Sequence, residues 1–194
     1  MVVPTRERIL IATAELFRRQ GYNGTGLKEI ASEARAPFGS IYHHFPGGKE
    51  QLGGDVIRTA GAMYAMLLPA VFDGGPDLVM GVREFFRLAG QHLAESGWQD
   101  ACPIATVALE VASVNERLRA ATHEVFERWI EDATQLLTER GGLSPDAARA
   151  RAIAMIAALE GAFVLARASR TLEPLHAAGE LVASELEAAI SRCE

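Results

Sequence analysis

A proline at position 37, set between two short apolar stripes, constrains this chain more than any other feature. Before it, Leu27, Ile30, Ala31 and Ala34 recur at three-to-four spacing. That puts them on one side of a short helix and leaves Lys28, Glu29, Ser32 and Glu33 outside. Thr25 precedes the stripe, where its hydroxyl is expected to accept a hydrogen bond from an unpaired first-turn amide, so the helix is predicted to begin at Thr25 or Gly26. Pro37 disfavours helical geometry at Ala36 and suits a first helical turn. The spacing therefore predicts an end near Arg35 and a second helix from Pro37 to Phe45, anchored by Ile41 and Phe45 four residues apart.

A helix this short is not stable alone and must be held by its neighbours. Its polar face, with Gly39, Ser40, His43 and His44, carries no acidic residue and is free to meet something negative. Two helices around a break with such a face are what a helix-turn-helix needs to dock in a major groove, side chains meeting base edges while others fix position on phosphates.

The ordered set Thr25, Ile30-Ala31, Ala34, Gly39-Ser40-Ile41-Tyr42-His43-His44-Phe45, Lys49-Glu50 and Leu52 closely resembles the DNA-binding signature of TetR-type transcriptional repressors. Residues Thr5 to Gly21 resemble their first helix. Pro46 to Glu50 (PGGKE) and Cys102-Pro103-Ile104 are similar to the LmrA/YxaF-like branch. Two positions depart from the pattern. The family's turn glycine is replaced by Arg35 or Ala36, either of which is strained at positive φ, and Phe38 stands where Lys or another polar residue is frequent. The resemblance implies that Thr25 and Lys28 set the second helix on phosphate and that Tyr42, His44 and Lys49 fix the backbone. It also implies that Phe38, Gly39, Ser40 and His43 face base edges; Phe38, three before Ile41, has turning into the core as its alternative.

Charge supports the division. Residues 1–50 carry seven basic and five acidic side chains, net +2; the whole 194-residue chain is −6, so the remainder holds −8. An acidic body repels DNA and leaves the N-terminal unit as the contact face. A hydrophobic content of 49% excludes general disorder. Two cysteines, Cys102 and Cys193, are too few for a disulfide framework and fit a reducing cytoplasm. No secretory signal is read at the N-terminus, and the longest uncharged stretch, Thr59 to Phe72, is too short to span a bilayer, so no membrane partner is expected.

Beyond Leu52 the pattern is helical, with breaks at Asp73-Gly74-Gly75-Pro76, from Ser96-Gly97 to Pro103, near Ser113, at Gly141-Gly142 and around Ser169 to Pro174. These bound about six helices. Asp77 is expected to open one running to about Glu95, Asn115 or Ser113 to cap another, and Ser144-Pro145 to start a third. The expected fold class is all-α, with a helix-turn-helix domain over 1–48 and a helical effector-binding and dimerisation domain over 49–194.

The last two long helices are rich in small residues. A two-fold interface is expected there through Ala154, Ala158, Gly161, Ala162, Ala183 and Leu186, with intramolecular packing as the alternative. An effector cavity would draw on the bulky apolar groups Met63, Met66, Phe85, Phe86, Trp98, Phe126, Trp129, Met155, Leu159 and Phe163. Its polar candidates are His92, Thr106, Glu110, His123 and Glu160, with Cys102 shaping a neighbouring loop; the alternative for each polar candidate is a hydrogen-bonded core or surface residue, and for Cys102 a buried inert thiol.

Catalytic patterns are missing from the sequence. There is no GxSxG, no HExxH and no Cys/His set at zinc spacing, and Gly47-Gly48-Lys49 lacks the rest of a phosphate loop. His43 and His44 diverge by about 100° on a helix and do not chelate one ion well. No metal and no cofactor are expected. The chain is thus expected to be a non-enzymatic, homodimeric, cytoplasmic repressor that binds double-stranded operator DNA and is released by a small, largely apolar effector. The alternative is an all-α small-molecule-binding protein or enzyme whose N-terminal unit is only scaffold, marked by a convergent pair such as Glu110 with His123.

Overall fold

In the computed structural model, which describes residues 3–72, 77–99 and 102–192, every regular element among the described residues is a helix. In chain order they are α1 (Thr5–Gln20), α2 (Leu27–Glu33), α3 (Gly39–His44), α4 (Gly48–Ala65), α5 (Leu67–Phe72), α6 (Leu78–Glu95), α7 (Pro103–Val111), α8 (Glu116–Gly141), α9 (Pro145–Ser169) and α10 (Glu173–Ile190). The all-α expectation holds. The expected break at Asp73 to Pro76, and Cys193, lie outside the described residues.

Most start signals act as read. Asp77 accepts from the Met80 amide at 2.9 Å and Asn115 from the Leu118 amide at 3.0 Å, capping α6 and α8, while Pro145 opens α9 behind Ser144. Two boundaries differ. The helix expected from Pro37 begins at Gly39, because Pro37 and Phe38 form the turn whose carbonyls accept from Ser40 and Ile41. Between Leu52 and Asp73, where no break is expected, the helix is interrupted at Met66. Pro69 lies four residues beyond Ala65, and its ring clashes with the i−4 carbonyl while contributing no N–H.

Packing divides the described residues into two compact units. One comprises those of 1–63 with 102–125, the other those of 64–101 with 126–194. The boundary expected after residue 48 coincides with the start of α4 and not with this division.

In the first unit, α1 buries Ile9, Ala12, Leu16 and Phe17 against Ile30 of α2 and Ile41 of α3, and Leu52, Val56 and Ile57 of α4 complete the core. Burial of such a cluster, at about 1.5–3 kcal/mol per large apolar side chain, is what holds a six-residue helix that has no stability of its own.

The second unit has α10 packed along α6 and α9, with Val82, Phe86, Leu93, Met155, Leu175, Ala183 and Leu186 inside. Gly179 permits the close approach of α10 to α6: a Cβ there would sit 2.8 Å from the Cβ of Phe86.

Candidate nucleic-acid interface

The turn between α2 and α3 closes in a definite hydrogen-bond pattern. The Ala36 amide donates to Ala31 O at 2.9 Å and the Arg35 amide to Ser32 O at 3.0 Å, the paired bonds of a Schellman C-cap. Such a cap needs a left-handed residue, and Arg35 supplies it at φ 48°, where glycine would be free of strain. Arg8 of α1 donates to Ala34 O at 3.0 Å and to Arg35 O at 3.4 Å, bracing that turn from outside.

Behind the turn, α3 is locked by Ile41 and Phe45, both 0% exposed. Arg6 lies 5.2 Å over the Phe45 ring and pairs with Asp55 of α4 at 2.9 Å, tying α1 and α4 to the end of α3. The opposite side is open. Phe38, Gly39, Tyr42 and His43 are exposed, Ser40 and His44 are half-buried, and the helix carries no acidic residue. Phe38 is turned outward, edge-on to Tyr42 with ring centroids 5.9 Å apart, so its core alternative is not realised. Lys28 is exposed on α2.

Two residues expected at this face serve elsewhere. Thr25 is 1% exposed and its hydroxyl donates to Gly21 O at 2.7 Å; it neither caps α2, whose N-cap is Gly26, nor keeps a free face for phosphate. The i−4 carbonyl outcompeted the first-turn amides. Lys49 is half-buried with its ammonium 4.2 Å over the Tyr22 ring, and burial pulls its pKa below the ordinary lysine value while Glu110 opposes the fall.

Glu110 belongs to this unit as well. Its carboxylate accepts from the Asn23 amide at 2.8 Å, which engages it with the α1–α2 loop. Cys102 and Thr106 are also employed locally: the thiol sulfur accepts from the Ala105 amide at the start of α7, and the Thr106 hydroxyl donates to Cys102 O. These partners lie far off in sequence or are backbone atoms, and composition does not reveal them. Met63 and His123 are exposed in the same unit.

Of the remaining effector candidates, Phe86 and Met155 are buried core of the second unit, with Phe85, Trp98, Leu159 and Phe163 packed against it. Met66 and His92 are exposed and Glu160 is half-buried. Phe126 and Trp129 meet edge-to-face at 5.7 Å, and Tyr64, which the sequence reading missed, meets Trp129 at 6.4 Å. An open groove elsewhere in this unit is lined by Gly97, Trp98, Gln99, Val164, Arg167 and Arg170, and shares only Trp98 with the expected set.

The interface candidates split between two faces. Ala162, Ala183 and Leu186 are buried within the protomer and therefore unavailable to a partner. Ala154 and Gly161 are exposed and Ala158 is half-buried. Beside them Ile153, Val164 and Leu165 of α9 and Leu181 of α10 are 45–73% exposed. The spacing of Val164 and Leu165, three and four residues from Gly161, was the signal that small-residue content obscured.

Comparison with known proteins agrees with this arrangement. The family model for bacterial regulatory proteins of the tetR family matches residues 9–54, and that for the C-terminal domain of LmrA/YxaF-like transcriptional regulators matches residues 79–181. The chain is 34% identical over 175 residues to an uncharacterized HTH-type transcriptional regulator of Mycobacterium tuberculosis, covering 88% of each. It is 31% identical over 171 residues to the HTH-type transcriptional regulator LmrA of Bacillus subtilis, covering 88% of this chain and 90% of that one. A crystal structure of a TetR transcriptional regulator from Legionella pneumophila superposes with TM-score 0.83 at 25% identity, over 95% of this chain and 98% of that one.

Proposed function

The chain belongs to the TetR family of bacterial transcriptional regulators, and on that premise we propose that it is a homodimeric, effector-released repressor acting in the cytoplasm on a palindromic operator. Residues 1–48 carry the DNA contact and residues 49–194 the effector and dimer functions. The observation that carries this reading is α3: locked from behind by Ile41 and Phe45, it presents Phe38, Tyr42 and His43 outward without an acidic residue. Tyr42 and the exposed Lys28 meet phosphates, and Gly39 and His43 meet base edges.

The exposed apolar stripe of α9 and α10 supports a two-fold interface between copies of the chain. Two protomers then present two α3 helices to half-sites about one helical turn apart or a multiple of it. Tyr64, Phe126 and Trp129, half-buried aromatics meeting edge-to-face, support a largely apolar effector bound in the second unit. Such a ligand releases DNA only if it binds the non-matching conformer more tightly. The scaffold-only alternative asked for Glu110 to converge with His123, but Glu110 is held by the Asn23 amide.

The test is binding of the full chain to the DNA upstream of its own gene. Wild type should bind tightly with a steep salt dependence, and Tyr42→Ala and His43→Ala should each weaken binding tenfold or more without loss of helicity, an order expected for losing about 1–3 kcal/mol. Equal binding by all three proteins would refute the assignment of α3.

A further inference from the structure

Phe38 offers a reading helix the one group that cannot take part in the hydrogen-bond code of bases. Its ring is 44% exposed at the start of α3, against a Tyr42 ring that is itself 50% exposed, and Ile41 and Phe45 already fill the core behind. Two large exposed aromatics, one at the N-cap and one within a six-residue helix, are unusual on a free surface, and they adjoin the face assigned to DNA. Tyr42 restrains the Phe38 ring, so little rotamer freedom is left to lose on contact. Gly39 follows directly, with nothing within 4 Å of where its Cβ would stand, which gives the backbone room to approach a groove floor.

A phenyl ring has neither donor nor acceptor. In the major groove guanine, adenine and cytosine are marked by hydrogen-bonding groups, cytosine carrying only a hydrogen at C5, whereas thymine carries a protruding apolar methyl group there. We propose that Phe38, held by Tyr42, reads a thymine C5-methyl group at a fixed position of each operator half-site. This rests on the DNA-reading function above and specifies its partner chemistry. The position often occupied by a polar contact has become an apolar one, so the half-site loses a hydrogen-bonded base there and gains a thymine. Because the recognised group is the methyl and not the thymine edge, 5-methylcytosine shares it, and 2′-deoxyuridine does not.

The experiment selects duplexes from a random pool with the full-length protein, then replaces each half-site thymine in turn by deoxyuridine, which removes the methyl alone. At one thymine per half-site, deoxyuridine should weaken wild type by about fourfold per methyl lost. Phe38→Ala should bind the thymine and deoxyuridine duplexes equally, and Phe38→Leu should keep part of the discrimination. The exposed position leaves the fold intact in both variants, which circular dichroism checks. Wild-type indifference to deoxyuridine at every position, or discrimination retained by Phe38→Ala, overturns the inference while leaving the repressor reading standing. Enrichment of no duplex at all overturns both.

Discussion

The Glu110 carboxylate accepts the Asn23 backbone N–H at 2.8 Å and stands over Gly21, where an added Cβ would overlap its Oε1. The bond joins positions 87 apart in sequence and pins α7 to the loop that leads into α2. Glu110→Ala should cost about 1 kcal/mol, the net worth of one such bond. In a chain of this size that is a fall of about 2–4 °C in Tm, with faster hydrogen exchange at the Asn23 amide. Gly21→Ala should cost more, since φ 73° with ψ −179° is a region essentially reserved for glycine. An unchanged melting curve for Glu110→Ala would show the contact to be inconsequential.

The same carboxylate bears on Lys49. Burial lowers the Lys49 pKa and the Glu110 charge works against that fall, so Glu110→Gln should lower it further, as a titration of the lysine side-chain NMR signal will show. The depressed value also sets a sign for stability. Between the folded pKa of Lys49 and the ordinary value near about 10.4, the unfolded chain binds more protons, and Lys49 makes stability rise with pH. Tyr22, whose pKa is raised chiefly by burial and then by Glu50, acts oppositely above about 10, where the folded chain holds its proton longer. Tyr22→Phe should therefore leave the rise due to Lys49 exposed in alkaline thermal melts; a continued alkaline fall of unchanged size would assign the loss to other groups.

Arg35 at φ 48° predicts a stabilising substitution. Arg35→Gly relieves a left-handed strain of about 1–2 kcal/mol, part of which is returned as unfolded-state entropy, for a net gain of about 0.5–1 kcal/mol. Arg8→Ala removes two donors to this turn and should destabilise, and less so in the Arg35→Gly background if bracing the strained residue is its role. Additive melting shifts in the double variant would separate the two effects.

How much of this was readable in advance depends on the range of the interaction. Ile41 and Phe45 were recognisable as anchors because their relation is local and periodic, and Asp77 and Asn115 as caps because a cap lies within three residues of its amide. The position of Arg35 was marked by the glycine that the resemblance expects there. The partners of Glu110 and Lys49, Asn23 and Tyr22, were not foreseen because they are set by tertiary packing. Thr25 failed for a different reason: two backbone groups competed for one hydroxyl, and local pattern does not rank them. In α9, apolar and small residues occur on nearly every side, so periodicity could not tell which alanines face the core and which face outward.

Gly179 predicts an overpacking penalty. With a Cβ placed 2.8 Å from the Phe86 Cβ and 3.1 Å from its Cγ, neither at the end of a flexible chain, Gly179→Ala must push α10 from α6 at about 1–3 kcal/mol. The gain in helix propensity, about 1 kcal/mol, does not cover the upper part of that range. Thermal denaturation should show a net loss, and a raised Tm would mean that the two helices separate without strain.

Gly161 lies on the outward side of α9 and gives the sharpest test of the two-fold interface. Nothing stands within 4 Å of its missing Cβ in the protomer, so in an isolated chain Gly161→Ala should gain about 1 kcal/mol of helix stability and disturb no contact. At a close crossing of two copies the added methyl instead keeps the helices apart, and the dimer should weaken while helicity is retained. Leu181, 73% exposed on α10, provides the companion variant. Leu181→Glu puts a carboxylate into the same apolar face and should shift sedimentation from dimer to monomer at micromolar concentration, with an unchanged far-ultraviolet spectrum. Operator affinity should then fall steeply, because one protomer holds one half-site. A Leu181→Glu protein that stays dimeric, together with a Gly161→Ala protein that only gains stability, would place the interface on another face.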